Sequence, residues 1–282
     1  MAHFRNILLS SVAALGLASP VAAQSSDISA EEFVSGIQAL ANAPERPKFV
    51  NTLSVENATI ADGGTSFIAV GVSSGQPGAV GELTEDTDGS ILIGHTFGDA
   101  QRNVGVQLSW GIFSTDSDDF GGEGAFSVKF SRELVGGAKP LYGALTLSNL
   151  LAYGNDKNRE LDEAATLSLT HFNSLQVGNE VLPIMATVGY GTQVKTAPLA
   201  AGRPFQRDPG FFAGVGVGLT PNFGVSIAGN NSFASVGTAF RFDQVKNTEF
   251  QLSVDDVFDD IDQRRITLNV IYSTQDLFGG LR

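Results

Sequence analysis

The chain has 282 residues, of which 42% are hydrophobic and 17% charged, with 33 Gly, 20 Phe, no Cys and a formal charge of −13. So much apolar material excludes a disordered chain, and an acidic balance without a basic cluster excludes a nucleic-acid partner. Without Cys there are no disulfides, no thiol catalysis, no thiolate metal site and no acylated lipoprotein terminus.

Arg5, the short apolar run Ile7–Leu17, the break at Ser19-Pro20 and the small residues Val21 and Ala23 before Gln24 read as a secretory signal peptide over 1–23. The apolar stretch is shorter than the ~20 residues a spanning helix needs. Residues 24–64 read as an N-terminal helix and linker. Ser29 and Glu32 form a capping box, Phe33, Val34, Ile37 and Leu40 follow at helical spacing, and Pro44 and Pro47 end the helix.

From about residue 65 the apolar period changes from 3.6 to 2. Val104, Val106, Leu108, Trp110 and Ile112 alternate with polar or small residues, as do Phe126, Val128 and Phe130, then Phe211, Ala213, Val215, Val217 and Leu219, and later Phe250, Leu252 and Val254. Twelve such runs begin near residues 65, 89, 102, 123, 140, 164, 182, 209, 222, 232, 247 and 264. Each is about 9–12 residues long, the length a tilted strand needs to cross a bilayer. The odd-numbered links are long and mostly acidic, with Gly229-Asn230-Asn231 the short exception, whereas the even-numbered links are mostly tight, as at Thr220-Pro221-Asn222. Short turns at one rim and long loops at the other is the asymmetry of a transmembrane barrel.

On these features the stretch from about 65 to 272 resembles a bacterial outer-membrane β-barrel protein. The segment Gly214-Val-Gly-Val-Gly-Leu-Thr-Pro-Asn-Phe-Gly-Val-Ser-Ile227 is similar to a strand, periplasmic turn and strand of that class. The class commonly ends on an aromatic residue; here Tyr272 and Phe278 lie inside the end, and Gly279–Arg282 trail after them. The expected fold is all-β, a transmembrane antiparallel up-and-down barrel of about 12 strands over 65–282 preceded by a short helix. The resemblance implies the outer membrane as location, lipid and lipopolysaccharide as surroundings, and the barrel-assembly machinery as a partner during insertion.

Patterns that suggest chemistry are weaker. Gly71-Val-Ser-Ser-Gly75 fits a nucleophile elbow, but no helix follows it. Gly214, Gly216 and Gly218 alternate with Val in a strand and form no phosphate loop; their expected role is to keep one face small. His171 has Ser174 on the opposite strand face, against the pattern of outer-membrane phospholipases, and His95 is the other histidine of the exported chain. Asp86-Thr-Asp-Gly89 is half a calcium loop, and Asp255, Asp256, Asp259, Asp260 and Asp262 form an acidic cluster that suits divalent cations. No cofactor is expected.

The polar faces carry Gln107, Lys129, Arg241, Glu249, Gln251, Asp255 and Arg265, which read as lumen-lining because charges facing lipid cost ~2–4 kcal/mol at the midplane. Their mixed signs suit either a narrow hydrated lumen or ion pairs that plug it. By the same alternation Val217 faces lipid and Gly216 the lumen, where Gly216→Ser is expected to be mild. The activity these readings favour is a small passive pore or structural barrel. A non-transporting surface barrel that binds partners through its acidic loops is the alternative, and an outer-membrane lipid hydrolase stands third. For a conducting barrel, the acidic loops around Asp116, Asp118, Asp119, Asp259, Asp260 and Asp262 predict cation preference at low salt.

Overall fold

The period-two runs become twelve strands in the computed structural model, which describes residues 49–74, 87–113, 115, 120–154, 163–196, 207–258 and 265–275. In chain order they are β1 (Thr65–Ser74), β2 (Thr87–Gly98), β3 (Gly105–Ile112), β4 (Gly124–Val135), β5 (Leu141–Tyr153) and β6 (Ala164–Val177). Then come β7 (Glu180–Thr196), β8 (Arg207–Thr220), β9 (Phe223–Asn230), β10 (Ala234–Phe240), β11 (Thr248–Asp255) and β12 (Arg265–Gln275). Each pairs antiparallel with its sequence neighbours, and β1 pairs with β12 over Thr65↔Gln275 to Ser74↔Ile266, so the sheet closes. Closure leaves no unpaired edge, which a sheet in lipid requires. The expected N-terminal helix and signal peptide lie outside the described residues.

The two rims differ as the links predict. β6 and β7 join through Val177↔Glu180, and β8 and β9 through the turn at Pro221-Asn222. The opposite rim carries the longer connections. Both Thr65 and Gln275 sit at the short-turn rim.

The outer wall is apolar. Ile68, Val70, Val72, Leu108, Phe130, Leu169, Val188, Val215, Ile227 and Leu268 are all exposed. In water so continuous an apolar surface is an aggregation site; in a bilayer it is the solvated face. Aromatic rings band both ends of this surface. Trp110 stacks on Phe126 and donates its indole N–H to the Tyr153 hydroxyl at 3.2 Å, and Tyr190 meets Phe211, all toward the long-link rim. Phe240 stacks on Phe250 with ring centroids 5.5 Å apart, and Phe242 closes on both, toward the short-turn rim. Two aromatic girdles around an apolar band are the construction of a membrane-spanning barrel.

Candidate functional site

The interior is where the chain departs from a simple tube. Residues 49–64, legible in the sequence only as a connection, run inside the barrel. Phe49, Thr52, Leu53, Ser54, Asn57, Ala58, Thr59 and Ile60 are all buried. The segment carries no helix or strand. It enters at the short-turn rim, where the Phe49 N–H donates to the Thr220 carbonyl at 3.0 Å. It climbs to Ser54, whose φ of 62° reverses the chain and whose hydroxyl donates to Asp255 at 3.0 Å, at the far end of β11. It then descends the opposite wall and leaves at the rim it entered, where the Gly64 N–H donates to the Thr96 carbonyl at 2.8 Å.

The entering limb, 49–55, lies in a trough floored by glycine. Gly214, Gly216, Gly218 and Gly224 are inward-facing positions of β8 and β9, and main chain passes where side chains on the last three would be. A Cβ at Gly216 would collide with the Asn51 carbonyl, and one at Gly218 or Gly224 would stand 2.5 or 2.7 Å from the Phe49 carbonyl oxygen. A Cβ at Gly214 would stand 2.7 Å from a Val55 methyl. The expected mildness of Gly216→Ser is therefore corrected, because the small wall is not spare volume but the seat of another piece of chain. Polar neighbours complete the trough. The Leu53 N–H donates to the Ser226 hydroxyl at 3.2 Å, and the Thr52 and Thr187 hydroxyls bond at 3.2 Å.

The returning limb, 57–64, packs differently. Ala58, Ile60 and Ala61 join Phe67, Ala69, Leu92, Ala100, Phe113, Ala125, Tyr142, Ala144 and Ile271 in one buried apolar cluster. The Ala58 N–H donates to the Thr170 hydroxyl at 2.7 Å, and the Ser131 hydroxyl donates to the Ala58 carbonyl. The Lys129 ammonium donates to the Asn57 carbonyl.

The sequence-designated residues have these places. Gln107, Lys129, Glu249, Gln251 and Asp255 are each at most 1% exposed, on positions that alternate with the exposed apolar wall. Arg241, just past β10, pairs with Glu249 at 3.4 Å and lays its guanidinium 3.9 Å from the centre of the Phe49 ring. Gln251 donates to the other Glu249 oxygen at 2.7 Å. Arg265 opens β12 opposite Asp255 in the ladder; its side chain lies outside the described residues. Lys129 and the Arg241–Glu249 pair stand on separate parts of the wall. Asp255 holds the apex of the inserted segment, while Asp259, Asp260, Asp262 and the loop acids at 116, 118 and 119 lie outside the described residues.

His95 alternates with the inward residues of β2 and bonds the Ser66 hydroxyl through Nδ1 at 2.7 Å. His171 alternates with the buried Thr170 and pairs with Leu141 across the sheet. Ser73 is an inward strand residue, and among the described residues no three His, Asp or Glu side chains converge to hold a metal. A shallow concavity of about 970 Å³, lined by Val104, Phe130, Leu145, Leu167, Val188 and Phe211 among others, lies along the outer wall and belongs to the lipid-facing surface.

No protein-family model matches the chain, and no curated protein does. Among solved structures it is similar to the outer membrane protein Omp33 of Acinetobacter baumannii, at TM-score 0.44 and 9% identity over 74% of this chain and 98% of that one. It is similar to the COG4313 outer membrane channel of Pseudomonas putida F1, at TM-score 0.44 and 11% identity over 77% and 97%. It is similar also to the KdgM porin, solved in complex with disordered oligogalacturonate, at TM-score 0.44 and 10% identity over 75% and 99%. The likeness extends to barrel architecture and no further.

Proposed function

We propose that the protein is a bacterial outer-membrane barrel, exported by a leader cleaved between Ala23 and Gln24, whose water-bearing conduit its own residues 49–64 hold shut. The small passive pore of the sequence reading becomes a pore that rests closed. The observation that carries this is the chemistry of the inner wall. Gln107, Ser127, Thr146, Ser168, Ser235, Ser253, Thr267 and Asn269 each bury a side-chain polar atom that has no hydrogen-bond partner among the described residues. In a permanently dry core each such atom costs ~1–3 kcal/mol. A wall with so many belongs to a passage built for water, into which one irregular length of chain has been laid. The seven residues Gln107, Lys129, Arg241, Glu249, Gln251, Asp255 and Arg265 are then the polar lining of that passage.

A second reading, a barrel that transports nothing, draws support from the fully buried Phe49, Leu53, Ile60, Leu92, Met185 and Ile271, which pack the interior. A reversible lock separates the two. A Cβ at Gly237 would lie 3.0 Å from the Leu53 Cβ, close to the ~3.5–4.5 Å of a disulfide. The chain has no cysteine to compete. In planar bilayers, Leu53→Cys/Gly237→Cys should stay shut when oxidised and show openings when reduced. Equal conductance in the two redox states would refute gating by this segment, and silence in both would favour the non-transporting barrel.

A further inference from the structure

We propose that the concavity on the outer wall binds one anionic phospholipid of the periplasmic leaflet, its phosphate on Arg132 and its acyl chains laid across β5 to β8. This rests on the wall facing lipid and is independent of the closure of the pore.

A charge stands in the wrong solvent beside this concavity. In the last six residues of β4 the exposed positions are Phe130, Arg132, Leu134 and Val135. Arg132 therefore points out of the barrel between apolar side chains, and Leu134 and Val135 lie nearer the short-turn rim than it does. Among the described strand residues it is the only Lys, Arg, Asp or Glu with an exposed apolar side chain both two places before and two places after it. A guanidinium on a lipid-facing wall is costly unless it reaches an anion at the headgroup layer. The acids beside it are engaged elsewhere. Glu133, on the other face of β4, accepts from the Tyr142 hydroxyl at 2.9 Å, and Asp99 in the link between β2 and β3 pairs with Arg102 at 3.4 Å. A phosphate diester takes two parallel N–H donors of a guanidinium. Lys139, exposed in the turn after β4, favours a headgroup of net negative charge over a zwitterion.

The wall next to Arg132 is indented. Arg132 lies opposite Gly143, and the same row continues through Leu169, Val188, Ala213 and Gly229. It begins three residues from the end of β4 at the short-turn rim and finishes one residue from the end of β9 at the long-link rim, so it climbs obliquely across the wall. The adjacent outward row is bulky, with Phe130, Leu145, Leu167, Tyr190 and Phe211 side by side. That ridge, beside a row that drops to Gly143 and Ala213, bounds the concavity of about 970 Å³, and Arg132 is the one charged group among its described lining residues. Hydrocarbon lying there touches protein on more than one side, which a flat wall does not offer. Arg132 to Ala213 spans four inter-strand spacings of ~4.8 Å, room for the chains of one leaflet, half of a ~30 Å core, laid aslant. Lipopolysaccharide carries its phosphates at the opposite rim, where the row ends beside Asn230 and Asn231. A second copy meeting this wall with its own like face offers Arg132 no anion.

Native mass spectrometry of the full-length protein tests this, with micelles holding equal amounts of phosphatidylglycerol and phosphatidylethanolamine of the same acyl chains. The unaltered protein should retain one phosphatidylglycerol, roughly fivefold or more over phosphatidylethanolamine. Arg132→Gln should abolish that preference, and Arg132→Lys should restore part of it. Ala213→Phe, at an exposed position, should fill the concavity and lower lipid retention by a similar factor with Arg132 untouched. Equal retention of the two lipids by the unaltered protein would overturn the proposal. So would a preference that survives Arg132→Gln, or retention that survives Ala213→Phe. Capture of lipid A in preference to phosphatidylglycerol, or a protein dimer lost in Ala213→Phe, assigns the wall to another occupant and overturns it too. Heat-modifiable migration on gels reports closure of each barrel, and Arg132→Met replaces Arg132→Gln where that variant fails to close. Conductance enters none of these outcomes, so the gated pore stands or falls separately.

Discussion

The two limbs of the inserted segment are of similar length, and 49–55 and 57–61 are alike buried, yet they are held by different physics. The entering limb, 49–55, rests on glycine and is fixed by scattered single hydrogen bonds and two small apolar clusters, Phe49 and Leu53 with Ala239 and Val55 with Phe212 and Ala228. The returning limb, 57–64, shares an apolar cluster with five strands and runs directly into β1. Apolar burial at ~25 cal/mol per Å² accumulates over a cluster, whereas one hydrogen bond exchanged with water contributes only ~0.5–1.5 kcal/mol net. The returning limb is thus part of the barrel's core, and the entering limb is the part able to move on its own.

The sharpest way to break this contrast is at Ile60. Its side chain fills the space a Cβ on Gly105 would need, and Ile60→Ala should cost about 2–5 kcal/mol of global stability. Urea titration of the refolded barrel measures it; a loss below 1 kcal/mol would make the returning limb as dispensable as its partner. On the opposite face of the wall, Val217→Arg should cost about 2–4 kcal/mol at mid-depth, because it places a charge in lipid. Folding into vesicles checks that, and tolerance of the change would mean the outer wall is not lipid-facing.

Leu53→Ala should behave unlike Ile60→Ala. Removing about 2 kcal/mol of packing from a limb that opens independently raises its open population roughly thirtyfold, while the global unfolding midpoint stays nearly fixed. Protection of the Leu53 amide against hydrogen exchange reports the first quantity and urea the second. If both fall together, the limbs form one cooperative unit. The smallest expected effect belongs to Arg241→Lys, which keeps a cation beside Glu249 and gives up the flat guanidinium over Phe49; the cation–π contact contributes about 0.5–1 kcal/mol at an exposed site and more when desolvated. That change should loosen the entrance of the segment and leave Ile60 protected.

Most of the barrel was legible in the sequence because a strand with one face in lipid and one inside writes its own alternation. All twelve strands begin within a few residues of where the period-two runs do, and the faces of β3, β4, β8 and β11 match residue by residue. The segment 49–64 was not legible, for a physical reason. Its residues answer to walls on every side and to no regular partner, so Phe49, Val50, Leu53, Val55, Ala58 and Ile60 follow neither period. The signal lay on the other partner: Gly214, Gly216, Gly218 and Gly224 strip one wall of side chains, and in a barrel of twelve strands such a wall needs something to lie against it. The register irregularity of β4 against β5, with positive φ at Asn149 and Leu151, carried no sequence mark either, since neither residue is a glycine.

One feature of the path bears on how the molecule is made. Phe49 and Gly64, the two described ends of the segment, lie at the same rim, the second next to the residue where β1 begins. A chain that crossed from rim to rim would have to be caught inside as β1 met β12, or be threaded end-first afterwards, and either order would bind its insertion to the moment of closure. A loop that returns to its own mouth is free of that constraint. It can enter a finished barrel or slide out of one without an end ever passing through, so its entry and withdrawal carry no topological barrier and are set by its contacts alone.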